Sequence, residues 1–290
     1  GNIISTNGTD SNIGIRFNSI TNNITIAGNN ISTFGTSVNN YGIYMNGAAS
    51  ASNFSVYGNN ISTYGTSSNY GIFLYLAGAT GNLIVNNSIL ANGSDYSNIG
   101  IYDIQASYNN ITGNLIRTDG TDTNHGIALV YEQNNNTLLN NIIFAGGNGT
   151  GSDGIVLSSG IAGQQVRDSN IIGNNITATS ASSYGIALTA SATGLVNSNH
   201  FVSNNVTAIG TSSYAVYVYA PSLSYAIDNE FNGTIMNNPT NWISSTSDTN
   251  VFRNTTFMTA NGNILYPGNF TLNSSQDASR DRLNVSFNRA

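Results

Sequence analysis

The chain has 290 residues, of which only 7% are charged, and a formal net charge of −6. Its seven cations are all arginine, scattered from Arg16 to Arg289, so there is no basic patch to release counterions from nucleic acid or to hold an anionic membrane. Cysteine is absent, which removes disulfides, thiolate metal sites and cysteine nucleophiles together, and no apolar run approaches the roughly 20 residues that span a bilayer.

A repeat starts at once. Asn followed two residues later by an aliphatic appears at Asn2/Ile4 and returns at Asn29/Ile31, Asn59/Ile61, Asn87/Ile89, Asn114/Ile116, Asn141/Ile143, Asn174/Ile176 and Asn204/Val206. The stretches Gly28–Ser37 and Gly58–Ser67 are nearly the same decapeptide. A second column pairs a small residue with an aliphatic: Gly14-Ile15, Gly42-Ile43, Gly71-Ile72, Gly100-Ile101, Gly126-Ile127, Gly154-Ile155, Gly185-Ile186 and Ala215-Val216. A third, looser column runs through Ile26, Val56, Ile84, Ile111, Leu138, Ile171 and Phe201. Intervals of roughly 26 to 33 residues mark a stacked array. Each unit holds three short segments with period-two alternation, separated by Gly/Asn/Ser/Thr turns, and no segment carries a helical period. The expected fold is all-β, a single-stranded parallel β-helix of about nine coils of roughly 28 residues, on the order of 45 Å long.

Alternation puts Asn29, Ile31 and Thr33 inward and Asn30 and Ser32 outward. An inward Asn on successive coils can bond to its neighbours and to the bend backbone, which satisfies polar groups that are costly to bury. The glycine before it (Gly28, Gly58, Gly113, Gly173) is expected at positive φ. These N-N-x-I and G-I columns resemble the right-handed parallel β-helix family of pectin-lyase-like folds, and within it the NosD-type repeat proteins of bacterial and archaeal surfaces. The resemblance implies a right-handed coil over residues 1–258. Beyond it, residues 259–290, with Pro267 and the more charged Gln276–Arg282, read as a cap or a strand leading to a further domain. The abrupt repeat start at Gly1 suggests a piece of a longer chain.

Enzymes of the resembled fold use paired carboxylates, or Ca²⁺ with a basic residue. The hydrolase motifs of that family are missing as a set, and there is no lysine to act as a base. No catalytic residue is therefore assigned and the chain is expected to be non-catalytic. Asn124-His125-Gly126 echoes one such motif, but its register matches Tyr41, Tyr70 and Tyr184, so His125 reads as a structural ladder position. Asp95, Asp122 and Asp153 close similar Gly-Ser/Thr-Asp turns on consecutive coils, where a shared Ca²⁺ would relieve like-charge repulsion; solvated turn carboxylates are the alternative. No other cofactor is implied.

The residue after each Gly-Ile should face outward: Arg16, Tyr44, Phe73, Tyr102, Ala128, Val156, Ala187 and Tyr217, with Tyr75 and Tyr219 two further on. An apolar strip on a chain coated in Asn and Ser marks a contact, for self-association, a neighbouring surface protein or a stacked sugar, with Tyr44, Phe73, Tyr75, Tyr102 and Tyr217 as its residues; a sheet face half covered by turns is the alternative. Sequons are abundant, and Asn30, Asn60, Asn175, Asn205, Asn110 and Asn53 are the expected glycan sites. The leading expectation is an extracellular or cell-surface structural protein: an adhesin, filament, sheath or surface-layer component. A carbohydrate-active β-helix enzyme or a carbohydrate-binding module is the alternative. Two facing carboxylates in a groove would overturn the structural reading, and symmetric contacts through the aromatic strip with sugar on outward Asn would support it.

Overall fold

The computed structural model describes residues 1–18, 22–47, 52–76, 80–191, 193–220, 225–237, 243–245, 250–258 and 264–272. Among them there is no helix, and every strand pairing but one is parallel. The chain winds as a β-solenoid with three sheets. One is a long sheet carrying two strands from most coils. The second is nine-stranded and runs from Ile13–Phe17 through Tyr41–Gly47, Tyr70–Leu76, Ile99–Ile104, Ile127–Val130, Ile155–Ser158, Tyr184–Thr189 and Tyr214–Tyr219 to Ile243–Ser245. The third is short, formed by Gln133–Asn134, Gln165–Arg167 and Leu195–Asn197. The one antiparallel pair joins Asn250–Met258 to Ile264–Leu272, where the coil succession gives way. The charged stretch Gln276–Arg282 lies outside the described residues.

Register follows the repeat. Ile31 pairs with Ile61 and Ile61 with Ile89, while Ile43 pairs with Ile72 and Ile72 with Ile101. These side chains are 2% exposed or less and form one continuous core along the axis. A single coil has no second face to cover its isoleucines; stacking supplies it. Asn29, Ile31 and Thr33 are buried and Asn30 is exposed, as alternation requires.

The polar interior is organised in ladders. The first runs Asn29, Asn59, Asn87, Asn114, Asn141, Asn174, Asn204: through Asn174, each amide and side-chain Nδ2 donates to the Oδ1 of the next, at 2.9–3.0 Å. A second ladder links Asn12, Asn40, Asn69, Asn98 and Asn124 and passes to Ser152. The third includes Asn82 and Asn109 and, beyond Ser169, joins Asn199, Asn229 and Asn250. Buried amides at three corners of each coil are thus paired, which is what permits so polar a sequence to have an interior. The corner before the first ladder takes positive φ at Gly28, Gly58, Gly113 and Gly173, and equally at Asn86, Asn140 and Ser203. The second glycine column serves a different need. A Cβ at Gly71 would lie 2.2 Å from Ile89 Cγ2 and 2.6 Å from the Gly100 carbonyl oxygen, so glycine there lets two sheets close on each other.

Candidate functional site

The outward residues of the nine-stranded sheet fall into the expected column, in register from Arg16 through Tyr44, Phe73, Tyr102, Ala128, Val156 and Ala187 to Tyr217. Its first half is an aromatic stack: Tyr44 on Phe73 at 5.0 Å and Phe73 on Tyr102 at 5.2 Å, with Arg16 over the Tyr44 ring. Beside it Tyr41 stacks on Tyr70 at 5.1 Å. Stacking leaves Tyr44, Phe73, Tyr102 and Tyr217 half-buried, and Tyr75 exposed at the margin. The far end is a second aromatic group, in which Tyr184 lies on Tyr217 at 4.0 Å.

Between the groups the wall is interrupted. Three rungs carry Ala128, Val156 and Ala187 where aromatics stand elsewhere, and the neighbouring column changes from Tyr41, Tyr70 and Ile99 to His125 and Asp153 before Tyr184 resumes it. The result is a cleft of about 360 Å³. Its floor is Ala128, Val156 and Ala187, and Tyr102 and Tyr184 stand on it from opposite sides. Ser97, Thr123, Ser158 and Thr189 also line it with hydroxyls, and no lysine or arginine does.

His125 and Asp153 enter the same cleft. The Asp153 amide donates to His125 Nδ1 at 3.3 Å, and Asp153 Oδ1 accepts from the Tyr184 amide at 2.8 Å. Asp153 Oδ2 approaches His125 Nδ1 at 3.5 Å, an ion-pair separation. Burial nonetheless disfavours the charged form of both groups. Burial pushes the Asp153 carboxyl up to about 8, with the Tyr184 amide pulling the other way, and burial lowers His125 to about 4. A ring nitrogen that accepts an amide proton has a free lone pair, so the imidazole proton sits on Nε2. Burial likewise raises the Tyr102 phenol to about 12 and pushes Tyr184 up, helped by Tyr217 and Asp153.

The register expected for His125, that of Tyr41, Tyr70 and Tyr184, is observed, and in that register the side chain lines the cleft. The carboxylate column is corrected. Asp95 and Asp122 are turn residues: Thr121 Oγ1 donates to Asp95 Oδ1, and Thr150 donates through its amide and hydroxyl to Asp122 Oδ1. Asp153 is not their counterpart. Ser152 takes the ladder position of Asn124, so Asp153 sits one residue beyond it, inside the sheet edge and 6% exposed. Among the described residues no group of three His, Asp or Glu could hold a metal ion, so the three carboxylates do not build the Ca²⁺ site. Of the expected glycan positions, Asn30, Asn60, Asn175, Asn205, Asn110 and Asn53 are all exposed. Asn60 donates to Asn30 Oδ1 and Asn205 to Asn175 Oδ1, so these four stand as stacked pairs one rung apart.

No family model and no curated protein matches the chain. Solved structures of similar fold do. The tailspike protein of E. coli bacteriophage HK620 in complex with a pentasaccharide aligns with a TM-score of 0.54 at 12% identity, covering 84% of this chain and 51% of that one. A double mutant of it, with an aspartate and a glutamate replaced by alanine and again in complex with pentasaccharide, aligns with the same score and identity over 88% of this chain and 55% of that one. The chain therefore spans about half the length of these tailspikes, and the likeness is one of fold: a parallel β-solenoid. It does correct one expectation. The non-catalytic reading rests on the absence of one family's hydrolase motifs, but solenoids of this fold at 12% identity hold oligosaccharides and exist as carboxylate mutants. That absence is no ground for excluding chemistry, the less so with a buried carboxyl in the cleft. Among the described residues no helix is long and apolar enough to cross a membrane.

Proposed function

We propose that the chain is the saccharide-binding β-solenoid of an extracellular or cell-surface protein, and that the cleft between Tyr102 and Tyr184 seats a neutral sugar residue. The observation that carries this is the interrupted aromatic wall: an apolar floor between two tyrosine rings, edged by hydroxyl side chains. A pyranose ring presents an apolar C–H face to an aromatic ring and hydroxyls at its edge, and the hydroxyl side chains of Ser97, Thr123, Ser158 and Thr189 are placed to meet the latter. A uronate or other anionic sugar would meet Asp153, no cation, and a chain of net charge −6. The pentasaccharide held by tailspikes of similar fold supports the ligand class.

The rod carries the site. Its placement in an adhesin, sheath, filament or surface layer, with glycans on outward asparagines, agrees with the NosD-type resemblance of the N-N-x-I columns. The exposed Tyr75 and Tyr219, 46% and 42% accessible beside the cleft, favour a further lateral contact with a second copy or a neighbouring surface protein. The test is a glycan array probed with the wild-type chain and with Tyr102→Ala and Tyr184→Ala. Binding to neutral oligosaccharides that weakens about tenfold or more in both variants, the loss expected for a stacked aromatic, supports the reading. A preference for anionic glycans, or affinity unchanged by both substitutions, overturns it.

A further inference from the structure

Along the column that contains His125 and Asp153, the backbone follows a rule. At four rungs the amide of the column residue donates to the carbonyl of the ladder residue one coil below: Tyr41 to Asn12 at 2.8 Å, Tyr70 to Asn40 at 3.0 Å, Ile99 to Asn69 at 3.1 Å and Tyr214 to Ser183 at 3.2 Å. At two successive rungs a side chain takes over. The Asp153 amide donates to the His125 ring, and the Tyr184 amide to the Asp153 carboxyl. These are the rungs at which the aromatic wall opens.

We infer that Asp153 is a positioning residue: together with His125 it forms a side-chain relay that replaces the main-chain ladder, seats the Tyr184 wall of the cleft, and makes that seating respond to protons. The geometry supplies the reason. A carbonyl is a fixed acceptor whose charge does not change. A carboxyl in its place couples the backbone of Tyr184, and with it the ring stacked on Tyr217, to a group that can ionise. The groups facing that carboxyl are His125 from the rung below, Tyr184 from the rung above with Tyr217 against it, and Tyr102 in the opposite wall; none is a permanent cation. Ionised Asp153 is therefore uncompensated and draws water to an apolar floor. The neutral acid leaves the floor dry for the C–H face of a sugar. At the other extreme, a proton on His125 Nδ1 removes the acceptor of the Asp153 amide and breaks the relay from below.

The inference rests on the saccharide reading only for its consequence for a ligand; the relay itself is tested on the free protein. The Tyr184 amide resonance is followed by nitrogen–proton NMR across pH 5 to 9.5, with the Tyr214 amide, on a regular carbonyl rung, as internal reference. The expected result is a titration of Tyr184 with a midpoint about 8 that Tyr214 does not share. Asp153→Asn keeps an acceptor oxygen at Oδ1 and cannot ionise, so it should keep the Tyr184 amide protected from exchange and remove the titration. Asp153→Ala should speed exchange of that amide by about tenfold or more. An amide at Tyr184 that does not titrate, or that titrates equally in Asp153→Asn, overturns the inference. If Asp153→Ala does not fold, the Asn variant alone decides. A Tyr184 titration abolished by Asn, together with a silent glycan array, would sustain the relay and defeat the saccharide reading. A positive array with a flat amide would do the reverse.

Discussion

Asn87 Oδ1 accepts from both the amide and the side-chain Nδ2 of Asn59, each at 3.0 Å. Asn87 Nδ2 in turn donates to the Val56 carbonyl at 2.9 Å. With Nδ2 also on Asn114 Oδ1 at 3.0 Å, one side chain ties its own coil to the coil on either side. The Asn59 side chain has further acceptors at Ile26 and Tyr57, and the Val56 carbonyl lies in the parallel strand ladder, but the Asn59 amide depends on Asn87.

Asn87→Ala should therefore strand one buried backbone group, the Asn59 amide. At about 1–3 kcal/mol for an unsatisfied buried group, the expected loss is about 1–3 kcal/mol, read as a fall in the urea midpoint. Asn60→Ala, on an exposed outward position, should stay within about 0.5 kcal/mol of wild type. Equal losses at both positions would mean that the ladder carries no special share of stability.

Gly71 makes a prediction of opposite kind, since nothing is removed. A Cβ there lies 2.2 Å from Ile89 Cγ2, a branch methyl in the core, and 2.6 Å from the Gly100 carbonyl oxygen. Overpacking of this sort costs about 1–3 kcal/mol, so Gly71→Ala should lower the melting temperature. In the coil where Met236 follows in the core column, with no branch at Cβ, the glycine column holds Ala215. Gly71→Ala combined with Ile89→Met should therefore recover part of the loss. No recovery would show the carbonyl contact to be the limiting one.

Those two positions also show how far the sequence could be read. The Asn29 ladder and the Gly-Ile column are legible because every coil writes the same letters at the same interval. The second and third ladders left the same kind of trace, Asn two residues before Gly-Ile at Asn40, Asn69, Asn98 and Asn124, and Asn five residues before the first ladder at Asn82, Asn109 and Asn199. The cleft left almost none. It is a gap in one column, and it becomes a hollow only because Tyr184 stacks on Tyr217 while His125 and Asp153 interrupt the tyrosine column. Gly151-Ser152-Asp153 imitates Gly120-Thr121-Asp122 in letters, yet Thr121 is bonded by the amide of Gly149, not by residue 152. The longer turn before Ser152 shifts the register, and a match of letters cannot report that shift.

Filling the gap is a direct test of what it is for. Ala128 pairs in register with Tyr102, so Ala128→Tyr would extend the stack of Tyr44, Phe73 and Tyr102 by one ring. An added aromatic pair is worth about 0.5–1.5 kcal/mol, so the variant should be as stable as wild type or more so in thermal melts. It should also lose oligosaccharide binding on the array, because the ring occupies the floor. A stable variant that still binds would move the ligand away from this cleft.

The dependence of stability on pH should be set by buried acids. Asp103 points into the core, in register between Leu74 and Leu129, where it accepts from Asn109 Nδ2 at 2.7 Å and from Gln133 Nε2 at 3.2 Å. Burial pushes its carboxyl up to about 7, against the pull of those hydrogen bonds. The folded value lies above the unfolded one near 4, so between the two the folded chain holds a proton that the unfolded chain has released. Stability from this group is complete below about 4 and falls as pH rises toward 7, by at most about 1.4 kcal/mol per pH unit. Asp153 behaves alike and extends the decline to about 8. His125, lowered to about 4, acts in the other direction only below its ordinary value near 6.5. Urea midpoints should therefore fall from pH 6.5 to 8. Asp103→Asn should flatten the part of that fall below 7, and Asp153→Asn should flatten it up to 8. A slope unchanged in Asp103→Asn would mean that Asp103 is ionised in the folded core, paired there with the Asn109 and Gln133 amides as a buried anion.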